Sequence, residues 1–151
     1  MHKALLSSSG QEWRTPQEFF DMLNKEFNFT LDVAAANDNA LCPAFFTKDR
    51  DALKRSWRPK TGSVFCNPPY GREIGHWVKK AYHEAIKHDT TIVMLLPART
   101  DTSYFHNYIY GHAEIRFLRG RLKFTDSTGK THWPAPFPSM VVIYNKKESV
   151  K

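Results

Sequence analysis

Metal-ligand spacing is missing from this sequence. Its seven histidines, His2, His76, His83, His88, His106, His112 and His132, form no His-x3-His or His-Glu-x2-His pair, so no metal centre is expected. Cysteine is scarce: Cys42 and Cys66 lack CxxC spacing, which points to free thiols in a reducing compartment. No apolar run approaches the roughly 20 residues that cross a bilayer, and no charged-then-apolar leader opens the chain. A cytoplasmic protein with no membrane partner is therefore expected. Neither a Gly-x4-Gly-Lys-Ser phosphate loop nor a Gly-x-Ser-x-Gly elbow occurs, which removes P-loop nucleotide chemistry and the commonest serine hydrolases. Acidic residues are the scarcer charge, 15 against 22 Lys and Arg, for a net +7. With a pI near 9.5, such a chain is drawn to polyanions, nucleic acid first.

What is present is enough for one core. At 151 residues the chain fits a single domain that buries about two-thirds of its unfolded surface. Residues 1–10, with Ser7-Ser8-Ser9-Gly10, read as a flexible leader, residues 11–145 as the domain, and residues 146–151 as a polar tail. Oligomeric state is not legible.

The chain is organised around Val64-Phe65-Cys66-Asn67-Pro68-Pro69-Tyr70-Gly71. After the Thr61-Gly62 turn signal, Ser63 to Cys66 predicts a short buried strand. Pro68 and Pro69 end it, because neither has an N–H for the ladder and each fixes φ. A stiff loop follows at a strand's carboxyl end, where open α/β sheets bind ligands. Asn67 Oδ1 and the Pro68 carbonyl would be paired acceptors there, beside the flat face of Tyr70. That is a socket for a planar ring carrying an exocyclic NH2.

The flanks predict alternating helices and strands. Phe19, Phe20, Leu23 and Phe27 mark a helix over Gln17 to Phe27, with Thr15 as N-cap and Pro16 as its first residue. Phe29 to Asn37 predicts a strand running into Ala34-Ala35-Ala36; Asp32 there is either a ligand contact or a cap for the next turn. Phe45-Phe46 reads as a strand or a plug over a ring. Asp51, or its rival Asp49, reads from the residues as the start of a helix through Leu53 to Trp57; a ligand role for either is what the resemblance given below implies. Ile74, Trp77, Val78, Ala81, Tyr82, Ala85 and Ile86 predict a packing helix, with Lys79, Lys80, His83, Glu84, Lys87 and His88 solvated. Thr91 to Leu96, apolar on both faces, predicts a covered parallel strand. It puts Arg99 and Asp101 on the same rim as Asn67 if the two strands run parallel. Glu114 to Leu118 predicts a strand leading to Arg119-Gly120-Arg121, whose guanidinium groups suit phosphate. Asp126 to Pro138 predicts a long loop beside the site, and Met140 to Tyr144 the closing strand.

Asn67-Pro68-Pro69-Tyr70 resembles motif IV of S-adenosylmethionine-dependent amino-methyltransferases. Trp13-Arg14-Thr15-Pro16 resembles their Thr-Pro motif X. Leu95-Leu96-Pro97-Ala98-Arg99-Thr100-Asp101, Tyr104-Phe105, Leu118 to Phe124 and Pro138-Ser139-Met140 resemble, more narrowly, phage DNA N6-adenine methyltransferases of the Dam group. The resemblance runs from about Trp13 to Tyr144. It implies an α/β fold with one doubly wound, mostly parallel sheet of the class I methyltransferase, Rossmann-like kind, and a closing antiparallel strand. It further implies S-adenosylmethionine as methyl donor and DNA as partner. Asn67, Pro68, Pro69 and Tyr70 would be catalytic. Thr15, Pro16, Asp32, Ala34, Ala35, Asp51 and Asn67 would meet the cofactor, with Ala34 to Ala36 standing where the wider family has a glycine-rich turn. Arg99, Asp101, Arg119 and Arg121 would meet DNA. The residues leave other targets open: N4 of cytosine, adenine in RNA, a glutamine amide, or no catalysis at all in a basic nucleic-acid-binding module.

Overall fold

A computed structural model describes residues 13–36, 39–47, 51–126, 130 and 134–145. The expected leader and tail, and Asp49, lie outside the described residues. In chain order the elements are α1 (Gln17–Phe27), β1 (Phe29–Ala35), β2 (Ala44–Thr47), β3 (Ser63–Cys66), α2 (Ile74–His88), β4 (Ile92–Pro97), β5 (Glu114–Phe117) and β6 (Ser139–Tyr144). A 3-10 turn spans Ala52–Lys54 and a π-helical turn Phe105–Ile109.

One six-stranded sheet runs β2-β1-β3-β4-β6-β5. β2, β1, β3 and β4 are mutually parallel, and β6 is antiparallel to both β4 and β5. The carboxyl ends of β1 to β5 and the start of β6 therefore share one rim. The chain steps from β1 outward to β2, then back across β1 to β3. That reversal falls between β1 and β3, and it is at the carboxyl ends of the strands flanking such a reversal that open sheets form their ligand crevice.

The register shows how the two faces are covered. Phe65 pairs with Val93 and Val93 with Ile143, so these three share one pleat face, while Ile92 and Tyr144 share the other. α1 lies on the first, its Phe20 ring 5.2 Å from that of Phe65 and 5.4 Å from that of Phe29. α2 lies on the second, with Tyr82 6.1 Å from Tyr144. β3, β4 and β6 are buried at every position, as strands covered on both faces must be. The doubly wound, mostly parallel arrangement is the expected one. Gly62 starts β3 because only glycine fits: at φ +78° a Cβ would fall 2.5 Å from the Asn28 carbonyl oxygen.

Four local expectations fail. Thr15 does not cap α1; Pro16 takes the N-cap position without a side-chain bond, and the Thr15 hydroxyl is engaged elsewhere. Glu84 is buried, not solvated, because the segment after the 3-10 turn folds onto α2. The Trp57 N–H donates to Glu84 Oε1 at 2.6 Å, and Lys80 and His88 lie 3.4 and 3.5 Å from the carboxylate. Ile86, counted in the apolar stripe, is 38 % exposed, one of five large apolar side chains exposed among the described residues. Asp51 precedes only a single 3-10 turn in a left-handed conformation and makes no side-chain cap, so the alternative helix through Trp57 does not form.

Candidate active site

β3 delivers Asn67 to the crevice, and the lead-in to α1 receives it. Asn67 Nδ2 donates to the Trp13 carbonyl oxygen at 2.5 Å and to Thr15 Oγ1 at 3.1 Å. Its Oδ1 is shut off from solvent and has no hydrogen-bond partner. A buried acceptor left unpaired costs about 1–3 kcal/mol, so this atom calls for an explanation. Two of the other three buried side-chain atoms without partners among the described residues lie on the same rim: the Tyr104 hydroxyl after β4 and Ser139 Oγ at the start of β6. The third, His88 Nε2, lies on α2 within ion-pair range of Glu84.

The socket is not open as the sequence suggests. Tyr70 is 7 % exposed, and its hydroxyl donates to the Leu95 carbonyl oxygen at 2.9 Å, so burial holds its pKa well above the ordinary phenol value. Its ring meets Phe137 at 5.7 Å and Phe124 at 6.3 Å, both edge-on. Trp13 meets the same two rings at 5.3 and 5.5 Å. Four rings thus pack as one apolar corner, burying aromatic surface that an open pocket would leave wet. Phe137 comes from the Asp126 to Pro138 loop expected beside the site, and Phe124 from the Leu118 to Phe124 run before it; neither ring is expected from the sequence to cover Tyr70. No periodicity marks isolated aromatics in a turn-rich segment. The β5–β6 connection is tied down at Arg14–Thr125 by a β-bridge and at Leu122 by the Ala135 N–H.

On the other side of the crevice, Asp32 sits within β1, paired with Phe45 and Phe65. Its two oxygens accept from the Ala34 and Leu41 N–H groups, both at 3.2 Å, and so shape the turn that leaves β1. Burial raises its pKa from the ordinary 3.8 to about 6, against the lowering effect of those two bonds. Ala34 is half-buried and Ala35 buried at the strand's end. Asp51, which precedes the 3-10 turn, is exposed.

The basic residues line that rim as well. β3 and β4 are parallel, so Arg99 and Asp101, both exposed, follow β4 on the side where Asn67 follows β3. Arg99 holds its guanidinium 6.0 Å from the Phe137 ring centroid, at the edge of the aromatic corner. Arg119 and Arg121 follow β5, exposed on either side of Gly120 at φ +74°. Arg121 donates one N–H to the Ala135 carbonyl oxygen at 3.2 Å. Among the described residues no cluster of His, Cys, Asp or Glu could hold a metal, and no helix is long and apolar enough to cross a membrane.

The family model for DNA N-6-adenine-methyltransferase (Dam) matches residues 3–151. The chain belongs to that family. A relative from Escherichia phage T1, named DNA N-6-adenine-methyltransferase, is 37% identical over 111 residues, covering 73% of this chain and 45% of the relative. A relative of the same name from Haemophilus phage HP1 is 28% identical over 139 residues, covering 89% of this chain and 79% of the relative. This Dam-family chain therefore spans less than half of the T1 protein and about four-fifths of the HP1 protein. The family implies a methyl donor, and the donor it implies is S-adenosylmethionine. At the end of β1, Ala34 is half-buried and Ala35 buried, and neither carries a side chain larger than a methyl.

Proposed function

We propose that this chain transfers a methyl group from S-adenosylmethionine to N6 of adenine in DNA. The observation that carries it is Asn67 Oδ1, a buried acceptor with no partner, next to Tyr70 at the sheet's switch point. An exocyclic amino group supplies the missing donor. Accepting one N6 hydrogen draws that nitrogen's lone pair out of the ring and frees it to attack. The new N–C bond forms as the methyl carbon's bond to sulfur breaks, S-adenosylhomocysteine leaves, and the spare N6 proton passes to solvent. The cofactor supplies an electrophilic methyl; the chain contributes orientation and a preorganised acceptor.

For the adenine to reach Asn67, it must leave the duplex and take up space that Phe124 and Phe137 fill against Tyr70. Tyr70 then stacks on the base, while Pro68 and Pro69 keep the loop rigid beneath it. The cofactor occupies the crevice between β1 and β3. There the backbone of the Thr15-Pro16 turn meets its methionine end, Ala34 and Ala35 admit it to the backbone, Asp32 holds their turn, Asp51 accepts from its adenine, and Asn67 borders the methyl. Arg99, Arg119 and Arg121, with Asp101 beside them, seat the DNA backbone on the rim.

Incubation with methyl-labelled S-adenosylmethionine and DNA, RNA or protein in parallel tests the target. Label in DNA, appearing as N6-methyladenine on base analysis, is the expected result. Label in RNA, in protein or in N4-methylcytosine would replace the proposed substrate. Absence of any transfer together with absence of cofactor binding would leave only a basic nucleic-acid-binding module.

A further inference from the structure

A side-chain amide helps only if it faces the right way. Rotated by half a turn, Asn67 would offer N–H donors to an amino group that is itself a donor. The two ends of an amide are isosteric and its terminal torsion is soft, so nothing within the residue chooses between them.

The lead-in to α1 makes the choice. The Trp13 carbonyl oxygen can only accept, so the Asn67 atom 2.5 Å away must be Nδ2. Thr15 Oγ1 takes a second bond from Nδ2 at 3.1 Å. With the donor end committed to residues 13 and 15, Oδ1 is the end left over. The segment is itself held: Thr15 is 9 % exposed, and preceding a proline confines its backbone to extended conformations. Arg14 is bridged to Thr125, and Trp13 packs against Phe124 and Phe137. A threonine before proline at a helix start ordinarily caps the helix; this one spends its oxygen on Asn67.

We infer that Thr15 is a positioning residue for methyl transfer: the Trp13 carbonyl, which can only accept, selects the orientation of the Asn67 amide, and the Thr15 hydroxyl holds the amide so selected in place. The inference rests on the assignment of Asn67 as acceptor. A flip in the native protein would set Oδ1 against the Trp13 oxygen and a donor against the incoming amine, two losses at once. Thr15→Val keeps the shape and removes one of the two latches.

Steady-state kinetics on Thr15→Val and Thr15→Ser decide it. Losing one hydrogen bond of about 1.4 kcal/mol corresponds to about a tenfold fall in kcat for Thr15→Val. KM for S-adenosylmethionine should stay near the wild-type value, and Thr15→Ser should recover the rate. A raised KM with unchanged kcat would make the Thr15 hydroxyl, and not only its backbone, a cofactor contact, and no change in either would make the side chain a packing group; both overturn the inference. Side-chain NMR gives a reading without turnover. The Asn67 NH2 pair should exchange slowly with solvent in the wild type and faster in Thr15→Val, and fast exchange in the wild type would refute the latch even if the valine variant fails to fold. An active Asn67→Ala would sink the acceptor assignment itself. An inactive Asn67→Ala beside an unimpaired Thr15→Val would sink only the latch.

Discussion

The two sides of the crevice are built by opposite means. At the end of β3 the groups that matter are side chains: an asparagine amide held by two bonds, a tyrosine anchored through its hydroxyl, and rings from residues 13, 70, 124 and 137 that fill the remaining volume. At the end of β1 the side chains described are small, and the Asp32 carboxylate is turned inward on the backbone. One side presents a directed atom and must be uncovered; the other presents backbone and needs only room. The difference follows from the two ligands proposed. Freeing an amine lone pair takes an acceptor at a fixed point, whereas holding a large, flexible cofactor takes access to many weak backbone contacts.

Substitutions on each side should therefore fail differently. The largest effect is expected for Asn67→Ala: kcat should fall about 10²–10³-fold, the range seen when one oriented hydrogen-bonding group is lost from a reacting centre. Calorimetry should show S-adenosylmethionine still bound, and retained turnover would break the contrast. Next is Ala34→Leu, which fills space at the end of β1. Overpacking costs of about 1–3 kcal/mol correspond to a roughly 5- to 150-fold loss of cofactor affinity, with kcat at saturation little affected. An unchanged cofactor affinity would mean the ligand does not approach that backbone.

A smaller effect belongs to Asp32. Its pKa is raised in the fold from 3.8 to about 6 by burial, so between those values the native protein keeps a proton that the unfolded chain has lost. Its share of stability is complete below about pH 4 and is lost as pH rises through about 6. The carboxyl carbon resonance should titrate near 6; a midpoint near 4 would show that the turn is wetter than the structure has it. The smallest effect is at the rim. Arg119→Ala should weaken DNA binding across sequences and lower the slope of log affinity against log salt by about one. Arg121→Ala should change the slope less, since one of its N–H groups already serves the Ala135 carbonyl.

Most of the frame can be read directly from the chain. Alternation and apolar runs mark β3, β5 and β6 nearly to the residue, because strand pairing and two-sided burial act on side chains that are neighbours in sequence. The 3.6-residue stripe marks α1 to its bounds for the same reason. The two prolines after Asn67 announce where β3 must stop, and the basic excess suits the DNA proposed as partner.

What stayed hidden in the sequence is decided across long separations. Glu84 looks like a surface residue until Trp57, 27 positions earlier, donates its N–H to it. Thr15 looks like a helix cap until Asn67, 52 positions later, takes its oxygen. Phe124 and Phe137 look like loop residues until they close over Tyr70. Local pattern thus determined the strands, the helices and the motif at the end of β3. Only the packed structure decided which way the Asn67 amide faces and what covers it, because an amide has no intrinsic preference for one end and takes its orientation from partners that folding brings to it.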